Sequence, residues 1–293
     1  MDIGLAGRLR MDNIPISYNI LIVLLFIFFG FLEARRLFSK YPGLNLNAVL
    51  KKAPYLYAII PIILPLAAAN LILQNRQYFI WNMPLWLQYS YSAIIWGGIL
   101  AIFSFIFSLA SAITFRTKHR EKWKVVISGV LLIAAVQYVQ WMYTRPHAPQ
   151  LGEAISSDGI FLQTSASSCV AASAANILQT FGIKKTEKEM AELFGTNLIR
   201  GTSVAQIVYG LRKISFSGKK KFIKDSDLTK LKAPAIIFLN DEGSGIPHAV
   251  AYAGLINKKA EIWDPAGGKA FWTEDKIKKH WHGRAIEIRK LKI

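Results

Sequence analysis

Four long apolar runs fill most of the first half of this chain, and none contains a charged residue. They cover 16–32, 55–73, 91–115 and 125–143. A bilayer crossing takes roughly 17–25 mainly apolar residues, and a helix keeps every backbone polar group of such a run paired in lipid. The first run is followed by Glu33-Ala34-Arg35-Arg36 rather than by a small-x-small cleavage site, which disfavours a removable signal peptide. The expectation for residues 1–144 is therefore a four-helix transmembrane bundle. Pro61 and Pro65 should kink the second helix. Gly97, Ala101, Ser104, Ser108 and Ala112 give the third a small-residue face for close packing. The absence of ionisable groups inside the runs argues against an ion or proton path.

Charge divides the 293 residues at the same place. The formal net charge is +18 and the mean hydropathy +0.29. Residues 1–144 hold 13 basic and 4 acidic side chains, and residues 145–293 hold 23 and 14. The second figure is the ordinary density of a soluble domain. A single soluble globule and a disordered chain are both excluded by this split. One cysteine, Cys169, rules out an internal disulfide and leaves either a buried apolar thiol or a reactive one.

Orientation follows from Lys and Arg near the spans. The loop after the first span has Arg35, Arg36, Lys40, Lys51 and Lys52, and the loop after the third has Arg116, Lys118, Arg120, Lys122 and Lys124. Between the second and third stands only Arg76, and after the fourth only Arg145 precedes Lys184. The two basic loops are expected in the cytoplasm of a bacterium, in its inner or plasma membrane. Both termini and the C-terminal domain are then extracytoplasmic. Trp81, Trp86, Tyr89, Tyr91, Trp141 and Tyr143 cluster at span ends, as interfacial aromatics do.

Residues 145–154 read as a linker and 155–293 as a small α+β domain, with helices early and strands late. A short apolar run at 160–162 precedes Ser167-Ser168, possible helix caps ahead of Cys169. Gly182 should stop that helix. Thr186 with Glu189 and Ser203 with Gln206 are capping-box pairs that open two more helices. Strands are expected at 235–239, 248–255, 261–263 and 285–289, with a hairpin turn at 257–259. Lys219-Lys220-Lys221 reads as a solvated turn.

Four residues in this half fit one kind of chemistry. Cys169 opens a helix, where the dipole and free N–H groups favour a thiolate. His248 begins a strand and Asp264 ends the next, so a hairpin can bring them side by side. A thiol nucleophile needs such a base, and the base an orienting acceptor. Gln163, six residues before Cys169, can supply an amide donor to an oxyanion. His280 and His282 could offer two metal ligands but lack a third, so no metal or other cofactor is expected. The wording around these residues also resembles a known family. Gln163-Thr-Ser-Ala-Ser-Ser-Cys169, the small-residue helix ending Phe181-Gly182-Ile183, Thr186-Glu-Lys-Glu-Met-Ala-Glu-Leu-Phe-Gly-Thr, Gly201-Thr-Ser-Val-Ala-Gln-Ile-Val-Tyr-Gly-Leu-Arg, His248-Ala-Val-Ala-Tyr and Asp264-Pro265 are similar to the bacteriocin-processing cysteine peptidases of peptidase family thirty-nine.

The resemblance covers about 155–290 and implies a papain-like fold. It makes Cys169 the nucleophile, His248 the base and then acid, Asp264 the orienter, and Gln163 the oxyanion donor with the Cys169 backbone N–H. Peptides are the implied substrates, typically leaders ending in a double glycine. Val170 stands where the family usually has Gly, and is expected to narrow the cleft or to accompany an inactive site. Many relatives are fused to an ATP-driven exporter. This sequence has no G-x-x-x-x-G-K-[ST], since Gly267-Gly268-Lys269 lacks the rest of the motif. A separate exporter, the lipid bilayer and a peptide substrate are the expected partners, with no nucleic acid and no ATP site. The function expected is that of a membrane-anchored cysteine peptidase. The alternatives are an inactive peptide-binding or sensor domain on the same anchor, or an acyl transferase using the same thioester.

Overall fold

The structure is a computed structural model, and it describes residues 16–41, 81, 83–117, 122–199, 201–240 and 247–291. The chain divides into two compact units, Met1–Met142 and Tyr143–Ile293.

The first unit contains α1 (Ile16–Lys40), α2 (Leu85–Thr117) and all but the last two residues of α3 (Lys122–Thr144). The expected first, third and fourth runs fall within these three helices. The second run, with Pro61 and Pro65, lies outside the described residues. Among the described residues one stretch, Gly97–Phe115 of α2, is long and apolar enough to cross a membrane. Small residues let α1 and α2 approach closely. A Cβ at Gly30 would overlap the Ser108 hydroxyl, and Ala34 and Leu37 pack with Leu109 and Ile113. Elsewhere these helices present apolar side chains outward. Leu21, Leu24, Phe28 and Phe29 are exposed on α1, and Ile127, Val130, Leu131 and Trp141 on α3.

The second unit is an α+β domain. A small sheet pairs β1 (Ala154–Ile155) with β2 (Phe161–Leu162). Three helices follow, α4 (Cys169–Gln179), α5 (Glu187–Phe194) and α6 (Val204–Lys213). Both expected capping boxes form. Thr186 Oγ1 accepts from the Glu189 amide at 3.2 Å while Glu189 accepts from the Thr186 amide at 2.9 Å, and Ser203 and Gln206 do the same at 3.3 and 2.8 Å. The main sheet is antiparallel in the order β3-β8-β4-β5-β6-β7. Its strands are β3 (Phe216–Phe222), β4 (Ala235–Asn240), β5 (Pro247–Ile256), β6 (Lys259–Asp264), β7 (Gly268–Trp272) and β8 (Trp281–Lys290), with α7 (Glu274–His280) between the last two.

Central strand β4 is buried from Ala235 to Leu239, which is what a strand covered on both faces requires. Ile237 and Leu239 join Val250, Tyr252, Ile262 and Trp281 in one core, and α4 packs against β4, β5 and β6. The β5–β6 turn has Asn257 and Lys258 at φ 49° and 63°, the left-handed pair that a tight two-residue hairpin needs. It sets the register that brings the two strand ends together.

The structure departs from the expectations in three places. Lys219-Lys220-Lys221 is not a turn but the middle of edge strand β3, paired with Glu287, Ile286 and Ala285 of β8. Lysines suit an edge, where they discourage further strand addition. Ser168 does occupy the N-cap of α4, but its hydroxyl donates backward to the Ser165 carbonyl at 2.8 Å and makes no cap bond to the helix. Residues 145–154, expected as a linker, are partly packed. Pro146 bridges to Asn197, and His147, Ala148 and Leu151 are buried.

Candidate active site

Cys169 is the first residue of α4, a free thiol 8% exposed. Because Ser168 turns away, the opening turn of α4 has no side-chain cap, and its N–H groups and dipole stay directed at the thiol end. One turn along, Ser173 is fully buried and donates to the carbonyl of Ala249 at 3.0 Å. That bond joins the helix carrying Cys169 to the residue next to His248.

His248 and Asp264 meet through Nε2 and Oδ1 at 2.6 Å, both about three-quarters buried. The Ala266 amide also donates to Asp264 Oδ1, at 2.8 Å. Burial alone would raise the Asp264 carboxyl, but the bonds from His248 and Ala266, with the charges of His248 and Lys276, hold it below its ordinary value. Burial likewise pulls His248 down. The hydrogen bonds to Asp264 and to the Cys169 side chain, with their negative charge, outweigh it and raise the imidazole to about 9. An ionised carboxylate only accepts, so the proton of the Asp264 contact sits on Nε2. Nδ1 is then the ring nitrogen that the Asp264 contact leaves available.

Gln163 follows β2, and its backbone amide donates to the Pro265 carbonyl at 2.8 Å, next to Asp264. Its side-chain Oε1 is buried without a hydrogen-bond partner among the described residues. The strap around it is held on both sides. Asn176 of α4 accepts from the Phe161 amide at 2.7 Å and donates to the Phe161 carbonyl at 2.9 Å. Glu187 of α5 accepts from Thr164 N and Thr164 Oγ1 at 2.9 and 2.8 Å. None of Ser173, Asn176 and Glu187 was singled out by the sequence. Their bonds reach 76, 15 and 23 residues along the chain, so no local motif marks them.

Val170 is 4% exposed and packed with the rest of α4. Its methyls fill core space. Among the described residues no cluster of three or more His, Cys, Asp or Glu side chains could hold a metal ion. His280 instead stacks edge-on against Trp272, with ring centroids 5.9 Å apart.

Residues 158–292 match the family model described as the Peptidase C39 family. The C-terminal half of the chain is a C39 peptidase-like domain. No curated protein matches the chain. Among solved structures it is similar to a double glycine motif protease from an AMS/PCAT transporter, crystallised with the leader peptide. The identity is 21% over 47% of this chain and 92% of that one, with a TM-score of 0.39. It is also similar to the peptidase domain of Streptococcus ComA, a bi-functional ABC transporter involved in quorum sensing, at 23% identity over 45% and 96%, TM-score 0.39. A third is the N-terminal peptidase C39 like domain of a toxin secretion ATP-binding protein from Vibrio parahaemolyticus, at 13% identity over 42% and 94%, TM-score 0.30.

Proposed function

We propose that the chain is a membrane-anchored cysteine peptidase. The observation that carries this reading is the 2.6 Å contact of His248 Nε2 with Asp264, which leaves Nδ1 for the thiol at the uncapped start of α4. The C39 match over the same residues supports it. In the mechanism the Cys169 proton rests on His248 Nδ1, as the raised imidazole requires near neutrality, and the thiolate adds to the scissile carbonyl carbon. The resulting oxyanion takes hydrogen bonds from the Gln163 amide and the Cys169 backbone N–H. Collapse of the tetrahedral species breaks the C–N bond, and His248 returns the proton to the leaving amine. Water, deprotonated by His248, then hydrolyses the thioester and restores the thiol. Asp264 holds the ring in the tautomer these steps need.

Residues 1–144 are the anchor in this reading, a four-span bundle that lies in the lipid bilayer. The outward apolar side chains of α1 and α3 support it, since a soluble surface rarely carries so many together. The alternation of basic loops puts the peptidase domain outside the cytoplasm. The substrate is a peptide, and any exporter it serves is a separate ATP-driven protein. The test is reaction of the purified chain with a peptidyl thiol probe, followed by mapping of the adduct. Labelling at Cys169 that requires His248 supports the peptidase.

A second reading, a peptide-binding domain without turnover, is favoured by the low exposure of Cys169, at 8%. Saturable peptide binding with no adduct and no cleavage would decide for it.

A further inference from the structure

Outside the proposed triad, Glu187 holds the residue that directly follows Gln163. It is 1% exposed, at the first position of α5. Burying a carboxylate is costly unless its oxygens are hydrogen-bonded. Both oxygens are committed to one residue, Thr164, which directly follows Gln163. Oε1 takes the Thr164 amide at 2.9 Å and Oε2 takes the Thr164 hydroxyl at 2.8 Å. The same hydroxyl accepts from the Gly152 amide at 3.0 Å, so a second strand of backbone is tied to the carboxylate through Thr164.

The surrounding bonds give this clamp a purpose. Phe161, two residues before Gln163, is held by Asn176 of the Cys169 helix. Gln163 itself is held by Pro265, beside Asp264. Those two ties refer the strap to the nucleophile on one side and to the imidazole's partner on the other. Without Glu187 the strap would still be pinned upstream of Gln163 and at Ser165, but Thr164, directly after Gln163, would keep only the Gly152 amide on its hydroxyl. A clamp at Thr164 fixes the direction in which the Gln163 side chain leaves the backbone. That side chain has an unpartnered amide oxygen among the described residues, so its aim depends on how its backbone is held.

We infer that Glu187 is a positioning residue that aims the Gln163 amide at the oxyanion, acting through Thr164. The inference rests on the peptidase reading above. It predicts a defect confined to stabilisation of the tetrahedral species, with thiolate formation intact. A misplaced catalytic group of this kind costs about 10²-fold in rate.

The experiment uses the full chain in detergent, a fluorogenic peptide with Gly-Gly before the scissile bond, and the matching Gly-Gly aldehyde. The Cys169 thiolate adds to that aldehyde, giving a hemithioacetal whose oxygen occupies the oxyanion position. Glu187→Met should lower kcat about 10²-fold with KM little changed, and weaken the aldehyde in parallel. Alkylation of Cys169 by iodoacetamide, which needs the thiolate but no oxyanion donor, should keep its wild-type rate. Glu187→Gln, which still accepts from the Thr164 amide, should recover much of the loss. Thr164→Val, which keeps that amide bond and loses only the hydroxyl, should fall between, and carries the test if Glu187→Met does not fold. Wild-type kcat in these variants overturns the inference alone, as does an equal fall in kcat and alkylation. A wild-type chain that cleaves no peptide and resists the aldehyde overturns the peptidase reading, and the inference with it.

Discussion

His248 and Asp264 are 16 residues apart in sequence and in hydrogen-bond contact at 2.6 Å, joined by the hairpin of β5 and β6. The imidazole is thereby fixed through Nε2, which leaves Nδ1 as its other exchangeable nitrogen. The behaviour of the whole site should follow from this one contact.

Cys169→Ala and His248→Ala should each abolish peptide hydrolysis, because such groups act as a unit. Gln163→Ala should leave a residue of activity, lower by about 10²–10³-fold in kcat, the usual loss for one oxyanion donor. Steady-state kinetics on the full chain check this, with circular dichroism to show that each variant is folded. Full activity in Cys169→Ala would remove the mechanism.

The pH profile should carry the signature of the raised imidazole. His248 is raised from 6.5 to about 9 by Asp264 and Cys169, against burial. Donation of a proton to the leaving amine should therefore persist through neutrality and fail as the pH rises through about 9. Asp264→Asn should shift that alkaline limb downward. Stability has the same sign. The His248 proton contributes in full below pH 6.5 and its contribution is lost as the pH rises toward 9. The Asp264 charge contributes above its ordinary 3.8 and is lost as the pH falls through its lowered value. Kinetics and denaturant titrations across pH 3–10, in wild type and Asp264→Asn, test both limbs. An alkaline limb unmoved by Asp264→Asn would sever the link between the contact and the titration.

Val170, which stands where the family usually has Gly, is buried at 4% exposure along with the rest of α4. Val170→Gly should therefore act mainly on stability. Loss of a buried valine side chain and a glycine in the first turn together cost about 2–4 kcal/mol. Urea unfolding measures the cost. Faster cleavage of bulky peptides by this variant, with unchanged stability, would return Val170 to the cleft.

Much of this arrangement can be read from the sequence, and the rest fails for identifiable reasons. Cys169, His248 and Asp264 each sit at the end of an element with a clear start or stop signal, a Ser pair, an apolar strand or a turn proline, so their meeting follows from topology. Strand β3 does not announce itself. Phe216 is its only fully buried side chain, and its three lysines break any alternation. Pairing with β8 makes it a strand, which is a tertiary effect. Helix α7 is seven residues long and buries only Ile277, too little for a periodic signal. Asn176 and Glu187 are hidden more deeply, because each bonds backbone far away along the chain rather than a neighbour on its own helix.

Topology determines which peptides the site can meet. An extracytoplasmic reporter fused after Ile293 should be active, and one inserted near Lys118 silent, since the five-one-five-one count of basic residues governs insertion. The reverse result would move the domain into the cytoplasm and favour leader processing beside a separate exporter.

Gly201 lies in the left-handed region at φ +66°, and a Cβ there would stand 2.9 Å from the Ser167 carbonyl, two residues from the thiol. Asn197 exchanges two backbone bonds with Gly201, and its side-chain amide reaches the Arg145 carbonyl at 3.2 Å. The thiol loop, the glycine and the first residues after α3 thus form one continuous brace. A nick or deletion between 145 and 150 would leave every proposed catalytic side chain in the sequence and remove the outer end of their support. The domain is thus braced from Arg145, well upstream of residue 158, where the family match starts.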